Sequence, residues 1–181
     1  GSYTRQQLDC VRGYRLLIHA EIESLVEDLA VQAAKDSLAE FQRTRRITLP
    51  LVSLLAHRVA RLADIPSGFS TKQRLKGNVP DSLDGRLERC VADFESTVRA
   101  SNNGIKEQDL ARMLLPVGVR GNDLDRVWLN AMSSYSTLRG DVAHNSHTVQ
   151  KLIDPKSELD AVDILIEGAK QLDHVISNLM V

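Results

Sequence analysis

Apolar residues recur every three or four positions along nearly the whole chain, the spacing of one face of an α-helix. Leu8, Val11, Ile18, Ile22, Leu25 and Leu29 mark the first such stretch, with Arg15 filling its one gap, and predict an amphipathic helix over residues 5–43. The stretch runs out in Arg43, Arg45 and Arg46, cations that suit the carbonyl end of a helix dipole. Pro50, favourable in a first helical turn, opens a second helix at 51–63. Leu83, Leu87, Val91, Phe94 and Val98 form the stripe of a third over 82–100, stopped by Asn102-Asn103-Gly104. A short helix at 107–115 breaks at Pro116 and Gly118, and Asn122 is suited to cap the next. In that next helix Leu124, Trp128, Ala131, Tyr135, Leu138 and Val142 share a stripe. The last, 156–180, carries Leu159, Val162, Ile166, Ala169, Leu172, Ile176 and Leu179. With no alternating strand pattern and no repeat, the chain reads as all-α, an up-and-down bundle of five to seven helices.

A length of 181 residues fits one domain spanning the chain, and 43% hydrophobic with 26% charged residues is an ordinary globular balance. The formal charge of −1 excludes a strongly basic nucleic-acid binder but not a local basic groove, since 16 Arg outnumber 7 Lys and Arg is the better bidentate phosphate ligand. Two such clusters stand out: Lys72, Arg74 and Lys76 in a long loop at 64–82, and Arg43, Arg45 and Arg46. Either could track an RNA backbone, or simply be wetted surface. Cys10 and Cys90 make neither a disulfide framework nor a metal spacing, and no apolar run approaches membrane-helix length; the expectation is a cytoplasmic protein without membrane contact. Gly1-Ser2 reads as a cloning scar, so the chain could be an excised domain.

Five histidines are available for chemistry. His19, His57 and His174 lie within helical patterns without a partner that the sequence pairs with them, and read as structural or surface residues. His144 and His147 sit in the densest polar stretch, where a periodic helix dissolves into Asn145, Ser146 and Thr148. Three readings of that stretch stay open. Arg139, His144 and Asn145 could cap a helix end. Asp141, His144 and His147 could ligate a metal. Or Arg139 and His144 could act on RNA, an imidazole moving protons near neutral pH while a guanidinium steadies the phosphate. Trp128, Tyr135 and Phe94 lie on apolar stripes and read as core or dimer interface rather than base-stacking platforms.

Arg139-Gly140-Asp141-Val142-Ala143-His144 resembles the Arg-x(4–6)-His motif of the HEPN superfamily, late in an all-helical domain as in that family. The opening helix, from Tyr14 through Glu23 to Leu29, is similar to the apolar helix with a central Glu of RiboL-PSP-type and MAE-type HEPN domains. The resemblance covers nearly the whole chain. It implies a homodimeric endoribonuclease that needs no metal or other cofactor, with two Arg–His motifs lining a cleft between protomers, in toxin–antitoxin or phage-defence systems where an antitoxin or associated effector is a partner. His144 would then transfer protons and Arg139 hold the phosphate, giving a 2′,3′-cyclic phosphate and a 5′-hydroxyl. Asp141, Asn145, His147 and Glu23 would support them, Glu23 by pairing with Arg139 or orienting His144. Where active members often carry a polar residue after the motif Arg, this chain has Gly140, and Asp141 could take that role. The alternative is a non-catalytic HEPN module that dimerises or senses RNA within a larger protein.

Residues five apart on an unbroken helix differ by about 140° in direction. Arg139 and His144 therefore meet only if Gly140 loosens the helix, if the long Arg side chain reaches round, or if two protomers contribute one residue each.

Overall fold

A computed structural model describes residues 3–59, 82–102, 104–144 and 153–181. Among these are six α-helices and no strand: α1 (Arg5–Thr44), α2 (Leu49–Val59), α3 (Leu83–Ser101), α4 (Glu107–Leu114), α5 (Arg126–His144) and α6 (Pro155–Leu179), with 3₁₀ turns at Leu115–Val117 and Gly121–Asp123. The all-helical reading thus holds. The basic loop read at 64–82, with Lys72, Arg74 and Lys76, lies outside the described residues apart from Ser82.

Helix α1 organises the bundle. Its 40 residues make a rod about 60 Å long at 1.5 Å per residue. Thr4 starts it: the Thr4 hydroxyl accepts from the Gln7 backbone N–H, and the Gln7 side chain accepts from Thr4 N at 2.8 Å. Arg45 ends it in the left-handed conformation, φ 62°, with its N–H on the Phe41 carbonyl. Every other helix packs against α1. Contact on several sides explains why its buried positions differ from the expected stripe. They are Arg15, His19, Ile22, Val26, Ala30, Val31, Ala33, Ala34, Ser37 and Phe41, and Leu25 is left 42% exposed. The alanines let neighbouring helices approach where leucines would hold them off.

Similar adjustments occur elsewhere. Leu83, Leu159 and Ile166 are exposed rather than core; α6 buries the expected Val162, Ala169, Leu172 and Ile176, and Glu158, Leu165 and Gly168 in addition. Asn122 lies in a 3₁₀ turn and caps nothing in α5. That helix starts beside Asp125, whose carboxylate accepts from Val127 N at 2.9 Å and whose carbonyl accepts from Leu129 N. Trp128 and Tyr135, expected on an apolar stripe, are buried, as is Phe94.

Trp128 donates its indole N–H to the Leu165 carbonyl at 3.2 Å and lies flat against Gly168. A Cβ at Gly168 would stand 2.0 Å from Trp128 Cδ1, closer than atoms can approach. Gly168→Ala is therefore expected to destabilise the protein by about 3 kcal/mol, overpacking outweighing the roughly 1 kcal/mol that Ala gains over Gly in a helix. Urea unfolding measures it, and an unchanged or higher midpoint would contradict the tight fit.

Candidate functional site

The C-terminal half of α5 lies between two hollows. On one side Arg139 shares a groove of about 480 Å³ with Ala20, Glu23, Ser24 and Glu27 of α1 and with Asn102 at the end of α3. On the other, a cavity of about 350 Å³ is lined by Asp141, Leu138, Tyr135, Arg15 and Glu158 among others. Arg139 and Asp141 thus serve different hollows, as the 200° between positions two apart on a helix requires. Asp141 does not take a place beside Arg139 in the groove.

The groove is built one helical turn at a time. Ile22 and Val26 anchor α1 in the core, which brings Glu23 and Glu27 to its shoulder. Asn102, where α3 has ended, donates Nδ2–H to Oε1 of Glu23 at 3.2 Å and of Glu27 at 2.9 Å. Arg99 pairs with Glu27 and Asp28. Beside Glu23 lies His19, 1% exposed, with Nδ1 3.5 Å from Glu23 Oε2 and Nε2 3.4 Å from the Ser136 hydroxyl of α5. The Nδ1 atom makes no hydrogen bond among the described residues. Among the described residues, no carboxylate lies within ion-pair distance of Arg139, although Glu23 and Glu27 line the same groove.

Electrostatics tie these groups together. Burial raises the Glu23 carboxyl above its ordinary range; Glu27 and Asp109 add to the rise, and Arg139 opposes it. Burial, aided by Arg139, lowers the His19 imidazole from 6.5 to about 4, so this histidine is neutral at pH 7. A histidine depressed in the folded state binds fewer protons than in the unfolded chain between those values, so stability falls as pH drops from 6.5 towards 4. His19→Leu is expected to flatten that part of the stability–pH curve, read from urea midpoints. A slope equal to the parent's would show that His19 does not generate it.

The second hollow is floored by a buried ionic network. Arg15 Nε donates to Glu158 Oε1 and Oε2 at 3.0 and 3.1 Å, its NH2 also donates to Glu158, and Tyr135 Oη donates to Glu158 Oε1 at 2.8 Å. The Arg15 guanidinium lies 5.8 Å from the Tyr135 ring centroid. Burial and the Glu158 carboxylate raise the Tyr135 phenol well above its usual value.

The remaining expected site residues are dispersed. His144 is the last residue of α5, and the helix continues through Gly140 without a positive φ. The loosening that would have let Arg139 and His144 converge in one chain does not occur. Asn145 and His147, and with them the possible metal trio with Asp141 and His144, lie outside the described residues. Arg43, Arg45 and Arg46 occupy the far end of α1, about 30 Å from Glu23 along the rod. Two of them are already engaged, Arg43 with Glu40 and Arg45 with Asp84, and Arg46 donates to the Met180 carbonyl at 3.3 Å.

The sequence offered Arg139 or His144 as the neighbour of Glu23; Glu23 and Arg139 share a groove without an ion pair, and His19, Glu27 and Asn102 were missed. For His19 the signal was available, because Glu23 is four residues on, one turn along the same face. No family model, no curated protein and no solved structure matches this chain.

Proposed function

We propose that the chain is a HEPN-type endoribonuclease that cuts RNA without a metal, at a site two protomers share, as a toxin or phage-defence effector. The observation that carries this reading is Arg139: half-buried at the end of α5, in a groove, with no carboxylate paired to it among the described residues. A guanidinium so held has donors to spare for a phosphate. His144 closes α5 five residues beyond Arg139, and in this reading the second copy supplies the imidazole that works beside Arg139.

In the proposed reaction a 2′-hydroxyl attacks its own phosphate in line. His144 accepts the hydroxyl proton, Arg139 neutralises the charge gathering on the phosphoryl oxygens, and the imidazole, now protonated, returns that proton to the departing 5′-oxygen. The products are a 2′,3′-cyclic phosphate and a 5′-hydroxyl, so no water, ion or cofactor enters the balance. Incubation of the protein with mixed RNA in excess EDTA tests it. The expected result is chelator-resistant cleavage with cyclic-phosphate ends; intact RNA at equimolar protein would refute it.

A second reading has its own support. Glu23 and Glu27 give the groove an acidic side that weakens its grip on a polyanion, which favours the HEPN module that does not cut, engaged in dimerisation or in weak sensing of RNA. Binding of RNA without cleavage, in the same assay, separates the two.

A further inference from the structure

We infer that a third hollow, between α2, α3 and α4, is a binding site for a small anion with an apolar body, a carboxylate on a short hydrocarbon chain. It has a volume of about 300 Å³ and shares no lining residue with the two hollows beside α5, so it stands apart from the RNA-cleaving reading. That volume lies at the lower end of the range for small-molecule sites, which keeps the ligand short.

The floor of the hollow is apolar. Leu54 of α2, Cys90 and Phe94 of α3 and Pro116 in the turn after α4 are all buried residues that line open space here. Water held against them finds few hydrogen-bond partners, so an apolar group that displaces it gains.

The rim is basic. His57 and Arg58 stand one turn beyond Leu54 on α2, and Arg112 of α4 joins them; among the described residues Asp93 is the one carboxylate in the lining. None of the three basic side chains is locked. His57 makes no hydrogen bond or ion pair among the described residues. Arg58 reaches Asp93 with Nη2 at 2.7 Å, but the two side chains are 33% and 51% exposed, where water weakens such a pair. Arg112 lies 3.6 Å from Asp109 on its own helix and is 72% exposed. The Arg58 guanidinium also lies beside the Cys90 thiol, so it spans from rim to floor and has donors left for a second acceptor. Two guanidiniums against one carboxylate, with His57 as a further donor, favour an anionic head over a neutral or cationic one. A carboxylate at Arg58 would trade a weak surface contact for a charge-assisted one while its chain covers Phe94 and Pro116.

Isothermal titration of the whole chain with octanoate, octanol and octylammonium, ligands of one chain and different heads, tests this. Octanoate is expected to bind saturably, one per chain, and about tenfold tighter than octanol, the worth of one charge-assisted hydrogen bond, with octylammonium weakest. Arg58→Met should remove that advantage and leave octanol where it was. Thr97→Trp, at an exposed position in the lining, should close the hollow to all three. Neither Arg58 nor Thr97 is buried, so both variants should keep the parent's urea midpoint, and the comparison of the three heads on the parent protein needs neither. No saturable binding, equal affinity for octanoate and octanol, tighter binding of octylammonium, or octanoate binding that survives Thr97→Trp would each overturn the proposal.

Discussion

His144→Ala is expected to lower RNA cleavage by about 10²–10⁴-fold, the usual worth of a positioned proton-transfer group. Arg139→Ala is expected to lose a comparable factor, about 10²–10³-fold, through the charge it no longer neutralises. Neither change should unfold the protein: His144 is the terminal residue of α5, and Arg139 lies at the wall of an open groove rather than in the core. Mixing the two inactive variants gives the sharper result. If each site takes Arg139 from one protomer and His144 from the other, a heterodimer has one site with both residues intact and one with neither. Half of the dimers in an equal mixture are heterodimers, so about a quarter of parent activity should return. A mixture that stays dead would place both residues in one chain's site, and a His144→Ala protein that cuts like the parent would end the proposal altogether.

The largest effect on stability is expected at the Arg15–Glu158 pair. Both side chains are almost wholly enclosed, at 7% and 2% exposure, and Tyr135 adds its hydroxyl to the same carboxylate. Removing Glu158 leaves a buried guanidinium and a phenol without their acceptor, so Glu158→Leu should cost about 3–5 kcal/mol. Taking both charges away, as Arg15→Met with Glu158→Leu, should recover much of that loss, because desolvating two ions offsets most of their attraction. Urea unfolding of the single and double variants gives the coupling directly. A single variant within about 1 kcal/mol of the parent would mean that water reaches the pair. The network joins α1, α5 and α6 one helical turn before Arg139, so it also fixes the direction in which that residue leaves its helix.

Which stretches are helical was readable from spacing and caps alone; which face each helix buries was not. On α1 the leucines and isoleucines suggested one stripe, yet the buried positions include four alanines or serines and two ionisable residues. Their burial depends on partners distant in sequence: Glu158 is 143 residues from Arg15. Leu159 and Ile166 misled for the converse reason, since apolar residues are common on surfaces and α6 needed Glu158, Leu165 and Gly168 to face inward instead. In the groove, Glu23 and Arg139 line the same hollow, as one of the two options for Glu23 suggested, but they form no ion pair. Asn102 was not legible, because its place beside Glu23 follows from where α3 ends, 79 residues along the chain. The direction of the Arg139–His144 pair turned on a single question, whether Gly140 breaks the helix, and glycine in a helix permits either answer.

The long first helix has a consequence for how the molecule comes apart. A strut that touches all five neighbours ties them into one unit, and direct contacts of α5 with α6, α2 with α3 and α4 with α5 brace the shell around it. Loosening that one rod would therefore disturb every helix at once.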